Sequence, residues 1–164
     1  MKLQNINLEE LDSFYNALTT EKKYFDQTPL KPPGTLEFLT GVRIDNELVG
    51  IGGLARYFYF WHFTFWIVKV EFQRKGLSKQ IANNLITYAK GRDYSFLLIS
   101  VNKENTSSLA SWLKMGAETL YYADNVYRMG CYLNWRGKVV CKVIVRILFN
   151  IYFPAVKLRR LIFA

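Results

Sequence analysis

Apolar and polar residues alternate first at helical spacing. Leu8, Leu11, Tyr15 and Leu18 recur every three or four positions, which predicts an amphipathic helix over residues 8–23. Asn7-Leu8-Glu9-Glu10 has the form of a capping box, with Asn7 as N-cap and Glu10 three residues on. Pro29, Pro32, Pro33 and Gly34 then break regular structure. From Leu36 the period changes. Val42-Arg43-Ile44 and Glu47-Leu48-Val49 read as strands joined by a tight turn at Asp45-Asn46. Gly50, Gly52 and Gly53 mark a bulge or a close backbone approach in the second strand.

Residues 57–66 hold eight aromatic side chains in ten, which favours a strand, and this strand is expected to run on through Val70. Ile81, Leu85 and Tyr88, with Ala82 and Ala89, share one face of a helix over residues 78–90. Phe96 to Val101 is a short apolar run, as expected of a strand buried on both faces. Ser107–Met115 reads as a short helix ended by Gly116. Thr119–Tyr122 and Tyr127–Leu133 read as a closing hairpin. Helix, strands, helix, strand, helix, strands is the order of an α/β domain with a mixed sheet.

Composition narrows the class. The chain has 164 residues, 51% apolar and 21% charged, which suits one domain with a real core and excludes wholesale disorder. Cys131, Cys141 and His62 are the only cysteines and histidine, which argues against a disulfide scaffold and a multi-ligand zinc site, so no metal is expected. The first residues lack the long apolar run of a signal peptide, and the cytoplasm is the expected location.

Charge changes the picture at one end. The net charge is +9, yet residues 1–124 hold 14 basic and 13 acidic side chains. Everything after Asp124 holds eight basic residues and no acid. Such asymmetry points to an anionic partner or to a basic helix packed on its own domain with its charges in water.

The stretch with the most chemistry runs from Val68 to Ser78. A strand enters a short basic loop, Gln73-Arg74-Lys75-Gly76, and the loop opens a helix at Leu77-Ser78. Unpaired N–H groups and the positive dipole end at a helix start attract an anion, and a glycine lets the backbone come close to it. A diphosphate is the natural guest. The loop is not a P-loop, since no Gly-Lys-Ser/Thr follows, and it lacks the Rossmann triple glycine.

Gln73-x-x-Gly76-x-Ser78 resembles the Arg/Gln-x-x-Gly-x-Gly/Ala motif of the GNAT superfamily of N-acetyltransferases. Asn105, Ser108, Trp112 and Gly116 fall at the offsets of a second segment of that family, in which Asn, a small residue, Tyr and Gly follow a strand. The resemblance covers residues 1–134. It implies a mixed, mostly antiparallel sheet flanked by helices, with acetyl-CoA as co-substrate and an amine as acceptor. It implies that the amides of Gln73, Arg74, Lys75, Gly76, Leu77 and Ser78 bind the pyrophosphate. The backbone near Val68 and Val70 would pair with the pantetheine arm, and Asn105, Ser108 and Trp112 would complete the CoA site.

Two departures bear on the chemistry. Ser78 replaces Gly or Ala, a mild change. Trp112 stands where many relatives have a Tyr that protonates the leaving thiolate, and an indole N–H is no general acid at neutral pH. Tyr121, Tyr122 and Tyr127 are the nearby candidates for that role. The strand before the loop has no carboxylate but does have His62, on the same face as Thr64, Trp66 and Val68 if extended. An imidazole suits the base that removes the proton of the amine. The aromatic run packs the core on both faces or lines an acceptor pocket. The rival to catalysis is a weak or inactive module of this fold, used for CoA sensing, protein interaction or membrane tethering.

Residues 135–164 exceed the family core and form the expected extension. Lys138, Lys142, Arg146 and Asn150 are spaced by four, one polar stripe on an otherwise apolar helix. Pro154 would end or kink it, and Lys157, Arg159 and Arg160 add a second basic cluster. The segment is too short and too charged for a convincing membrane span. It suits an anionic membrane surface, or a contact with the domain or a second copy of the chain. Nucleic acid is disfavoured, because the charges are interleaved with Val, Ile and Leu.

Overall fold

The structure is a computed structural model that describes residues 2–18, 35–58, 61–145 and 147. The chain falls into two compact units, residues 1–93 and 94–164. It has the α/β architecture expected, with helices on mostly antiparallel strands.

In the first unit, β1 (Lys2–Asn5), β2 (Thr35–Ile44), β3 (Glu47–Phe58) and β4 (Trp61–Val68) pair antiparallel in that order. Asp45 and Asn46, both at positive φ, make the β2–β3 turn, as two-residue hairpins favour. Helix α1 (Leu8–Ala17) has the capping box: the Asn7 side chain accepts from the Glu10 amide at 2.8 Å and Glu10 Oε2 accepts from the Asn7 amide at 3.0 Å. Leu11 and Phe14 of α1, with Leu18, bury against Leu39, Ile51 and Ile67 on one face of the sheet.

Helix α2 (Leu77–Gly91) covers the opposite face, because adjacent strand residues point to opposite sides. A Cβ on Gly52 would sit 2.3 Å from Ile81 Cγ2, and one on Gly50 would sit 3.1 Å from Ile81 Cδ1. These two glycines therefore let α2 lie close to β3. Tyr88 stacks on Phe38 with ring centroids 4.0 Å apart, and Asn84 Nδ2 donates to the buried Thr40 Oγ1 at 2.8 Å.

In the second unit, β5 (Phe96–Asn102), β6 (Glu118–Ala123) and β7 (Val126–Tyr132) pair antiparallel in the order β5-β7-β6. Phe96, Leu97, Leu98 and Ile99 are all buried, as the continuous apolar run required. Helix α3 (Thr106–Lys114) precedes β6. Helix α4 (Trp135–Val140) follows β7 and runs into a π-helical turn, Cys141–Val145.

Four boundaries differ from the sequence-based expectation. The first helix stops at Ala17, where Leu18 turns extended and its amide donates to Tyr15 O at 3.1 Å; residues 19–34 lie outside the described residues. Strand β1 has no sequence signal of its own and is held by its ladder to β2. The aromatic run is not one strand. Phe58 ends β3 and pairs with Trp61 at the start of β4, so the chain reverses within the run. Aromatic residues favour strand on either side of that reversal, and no Gly, Pro, Asn or Asp announces it. Finally, β4 ends at Val68, and Val70 lies in a 3-10 turn. In the C-terminal segment Arg146, Asn150, Pro154, Lys157, Arg159 and Arg160 lie outside the described residues.

Candidate active site

The loop after β4 is tied down at both ends. The Lys69 amide still donates to Val49 O at 3.0 Å, the last rung of the sheet. The chain then makes the 3-10 turn Val70–Phe72, and the Gln73 amide donates to Val70 O at 3.1 Å. Gln73 also reaches back with its side chain: Nε2 donates to Val68 O at 3.1 Å, fastening the loop to the strand it left. Arg74 and Gly76 both have positive φ, 61° and 77°, so the backbone turns sharply into α2. A Cβ on Gly76 would meet nothing within 4 Å, so its glycine serves the left-handed conformation and an open approach rather than packing.

The start of α2 is electrostatically bare. Gly76 is its N-cap and supplies no side-chain cap, and no acid lies in its first turn. The first intrahelical bond comes from Gln80 to Gly76 O at 3.2 Å, so the amides of Leu77, Ser78 and Lys79 precede the ladder. Asn7, Asn105 and Asn134 cap the starts of α1, α3 and α4 with their side chains. Arg74, Lys75 and Lys79 are exposed around the bare start, with the Lys75 ammonium 4.9 Å from the Phe72 ring centroid. Leu77 is buried and anchors the first turn, while Ser78 is half-buried and Glu71 faces solvent. This arrangement suits an anion.

The second motif is a capped helix. Asn105 Oδ1 accepts from the Ser108 amide at 3.1 Å, which accounts for their spacing of three. Trp112 is buried, and its carbonyl accepts from the Ala117 amide at 3.0 Å across Gly116, which turns at φ 84°. The candidate tyrosines separate in the same unit. Tyr122 and Tyr127 are cross-strand partners with rings 4.7 Å apart, while Tyr121 pairs with Arg128. Tyr122 is exposed and its hydroxyl donates to Asn125 Oδ1 at 3.4 Å; Tyr121 and Tyr127 are half-buried.

His62 is 5% exposed on the face of β4 that meets α2. Its Nε2 lies 3.5 Å from Glu37 Oε2, and the other Glu37 oxygen is 3.1 Å from Arg56 Nε. Glu37 sits where the β2–β3 register slips between Leu36 and Phe38, and this bulge turns it toward His62 and Arg56. Thr64, two residues along from His62, is 6% exposed and its hydroxyl has no hydrogen-bond partner among the described residues. Glu37 escaped the sequence reading, because a bulge has no pattern; Thr64 was placed on the face of His62, but nothing in the sequence says that its hydroxyl will be left unpaired. Of the aromatic run, Phe65 packs with the α1-side core and Trp66 is half-buried on the α2 side. Among the described residues no group of three His, Cys, Asp or Glu side chains could hold a metal ion.

Comparison with known proteins agrees with this fold. No curated protein matches the sequence. A solved structure from Streptococcus mutans UA159, smu.2055, superposes with a TM-score of 0.65 at 14% identity, covering 82% of this chain and 100% of its own. The putative acetyltransferase yncA of Salmonella typhimurium, solved with its cofactor acetyl-CoA, gives 0.61 at 10% identity, covering 82% and 94%. The ribosomal-protein-S18-alanine N-acetyltransferase of Escherichia coli gives 0.60 at 15% identity, covering 81% and 94%. At these identities the likeness is one of fold. The acetyltransferase (GNAT) family model matches residues 3–117, well over half of the chain, and the chain therefore belongs to the GNAT acetyltransferase family.

Proposed function

We propose that the protein is a cytoplasmic N-acetyltransferase, moving an acetyl group from acetyl-CoA to an amine by direct attack in a ternary complex. Residues 1–134 form the acyltransferase domain, and residues 135–164 are an extension. The observation that carries the reading is the bare start of α2: a left-handed Gly76 cap with exposed Arg74, Lys75 and Lys79 around it. The amides of residues 74–78 hold the diphosphate of the donor, while Gln73, expected among them, has its own amide taken up by Val70 O and instead braces the loop against Val68. The backbone at Val68 and Val70 meets the pantetheine arm, and Asn105, Ser108 and Trp112 complete the CoA site.

His62 is the general base. The amine attacks only when neutral, so a proton must leave it, and a buried imidazole can take that proton. Once charged, the imidazolium lies beside the Glu37 carboxylate, which stabilises it and orients the ring. The carboxylate missing from β4 is thus supplied by β2. Nitrogen bonds to the thioester carbon, the C–S bond breaks, and CoA leaves as thiolate. A thiol of pKa about 8.5 is a fair leaving group, so a dedicated acid is not required. Tyr121, Tyr122 and Tyr127 are the candidates for returning the proton to sulfur. Holding amine and thioester together supplies a large part of the rate.

Calorimetric titration with acetyl-CoA, followed by CoA release with a panel of amines, tests the reading. Binding with turnover supports it. Binding without turnover on any amine leaves a CoA-sensing module, and no binding by the folded protein removes the reading.

A further inference from the structure

The described part of the C-terminal segment carries an apolar row that points away from the protein. Asn134 caps α4 by accepting from the Gly137 amide at 2.9 Å. Gly137 and Cys141, four residues apart, form the inner side. A Cβ on Gly137 would fall 1.7 Å from Ser95 O, and Cys141 Sγ lies 3.3 Å from where a Cβ on Gly130 would be. The helix is thus seated against its sheet with little freedom to roll. Seated so, it turns Trp135, Val139, Val143 and Ile147 outward at 72%, 53%, 52% and 51% exposure.

At 3.6 residues per turn, a repeat of four drifts around the axis. The π-helical turn Cys141–Val145 uses more residues per turn, which opposes the drift of the row. Arg136, Lys138 and Lys142 are exposed beside it. Lys142 Nζ is held 3.0 Å from Glu118 of the same unit, and no acid follows Asp124 in the sequence.

We infer that this face docks on an anionic lipid bilayer, with the helix lying in the plane of the interface. The charges choose the occupant. A second copy would bring the same cations against these, and a nucleic acid would give the aliphatic row nothing to bury in. An anionic bilayer takes both: the row enters the boundary between headgroups and acyl chains, and the flanking cations meet acidic headgroups. Trp135 heads the row, and tryptophan favours the headgroup level. None of the described helices is long and apolar enough to cross a membrane. The inference stands apart from acetyl transfer and is tested without any assay of activity.

The experiment is flotation of the full chain with vesicles of phosphatidylcholine alone or mixed with phosphatidylglycerol. The protein is expected to float with the mixed vesicles about tenfold or more in excess over the neutral ones, and to be released by salt. The double variant Val139→Glu/Val143→Glu alters exposed positions only and is expected to lose flotation while melting like the parent. Arg136→Glu/Lys138→Glu is expected to lose the preference for phosphatidylglycerol. Equal flotation on both vesicles, no flotation, or undiminished flotation of the first double variant overturns the inference. So does a lipid-free dimer that this variant dissociates, which would assign the face to a second copy.

Discussion

The carboxylate of Glu37 lies 3.5 Å from Nε2 of His62, two strands away in the sheet. Its other oxygen meets Arg56, which is half exposed, so removing the charge of Glu37 leaves a guanidinium that water can still solvate. His62→Gln is expected to lower kcat by about a hundredfold or more, within the usual range for a general base. Loss of the proposed base should also change the shape of the pH profile of kcat/KM. Glu37→Gln is expected to cost about tenfold in kcat with little change in acetyl-CoA affinity, since it acts through the histidine. Steady-state kinetics across pH checks both. An unchanged profile for His62→Gln would remove histidine from the chemistry.

Gly76 turns at φ 77° with open space where a Cβ would go. Gly76→Ala therefore suffers strain but no collision, about 1 kcal/mol for a left-handed alanine. The expected result is a small drop in melting temperature and a weaker acetyl-CoA affinity by calorimetry, because the loop relaxes away from its anion-binding shape. Gly91, which also has room for a Cβ but lies at the far end of α2, serves as the control.

Gly52 is the opposite case. A Cβ there would fall 2.3 Å from Ile81 Cγ2 and 3.2 Å from Leu85 Cδ1. Both neighbours belong to the packed face of α2, so the helix must move outward. Gly52→Ala is expected to destabilise by about 1–3 kcal/mol, as overpacked cores do. Acetyl-CoA affinity should fall with it, since α2 carries the candidate anion site at its start. Chemical denaturation and calorimetry on the same sample check the pair of effects.

Burial pushes the Cys141 thiol up to about 12, with Cys131 and Glu118 adding smaller pushes in the same direction. Neither cysteine is in a disulfide, and both are buried. A thiol-reactive dye is expected to label neither in the native protein at neutral pH and both after denaturation. The pH dependence follows from linkage. Above about pH 8.5 the unfolded thiol gives up its proton while the folded one keeps it, so the unfolded chain gains. This contribution is fully present below that pH and is lost as pH rises towards about 12. Melting curves should fall over that interval, and Cys141→Ala should flatten the fall.

Local signals made much of the fold legible. The Asn7 capping box, the Asp45-Asn46 turn and the glycine-ended helix at Gly116 all stand where short-range chemistry put them. The spacings of Gln73 with Gly76 and of Asn105 with Ser108 were visible, and the geometry now gives each a local reason: a loop brace and a helix cap. What was hidden depends on partners far away in sequence. Strand β1 exists through its ladder to β2. The reversal inside the aromatic run is written in no turn residue, because strand-favouring rings stand on both sides of it. Glu37 reaches His62 through a bulge, which hydrophobic alternation cannot announce. The outward row from Trp135 to Ile147 emerged once Gly137 and Cys141 were seen to be the inner side.

The claim on which the rest depends is that main-chain amides at the start of α2 hold the diphosphate of the acetyl donor. Titration of the 15N-labelled full chain with acetyl-CoA, read amide by amide, addresses it directly. The largest shifts are expected from Arg74 to Lys79, and pantetheine, which lacks the diphosphate, should leave those amides in place. A well-dispersed spectrum in which they stay still at saturating acetyl-CoA, or move equally with pantetheine, contradicts the account.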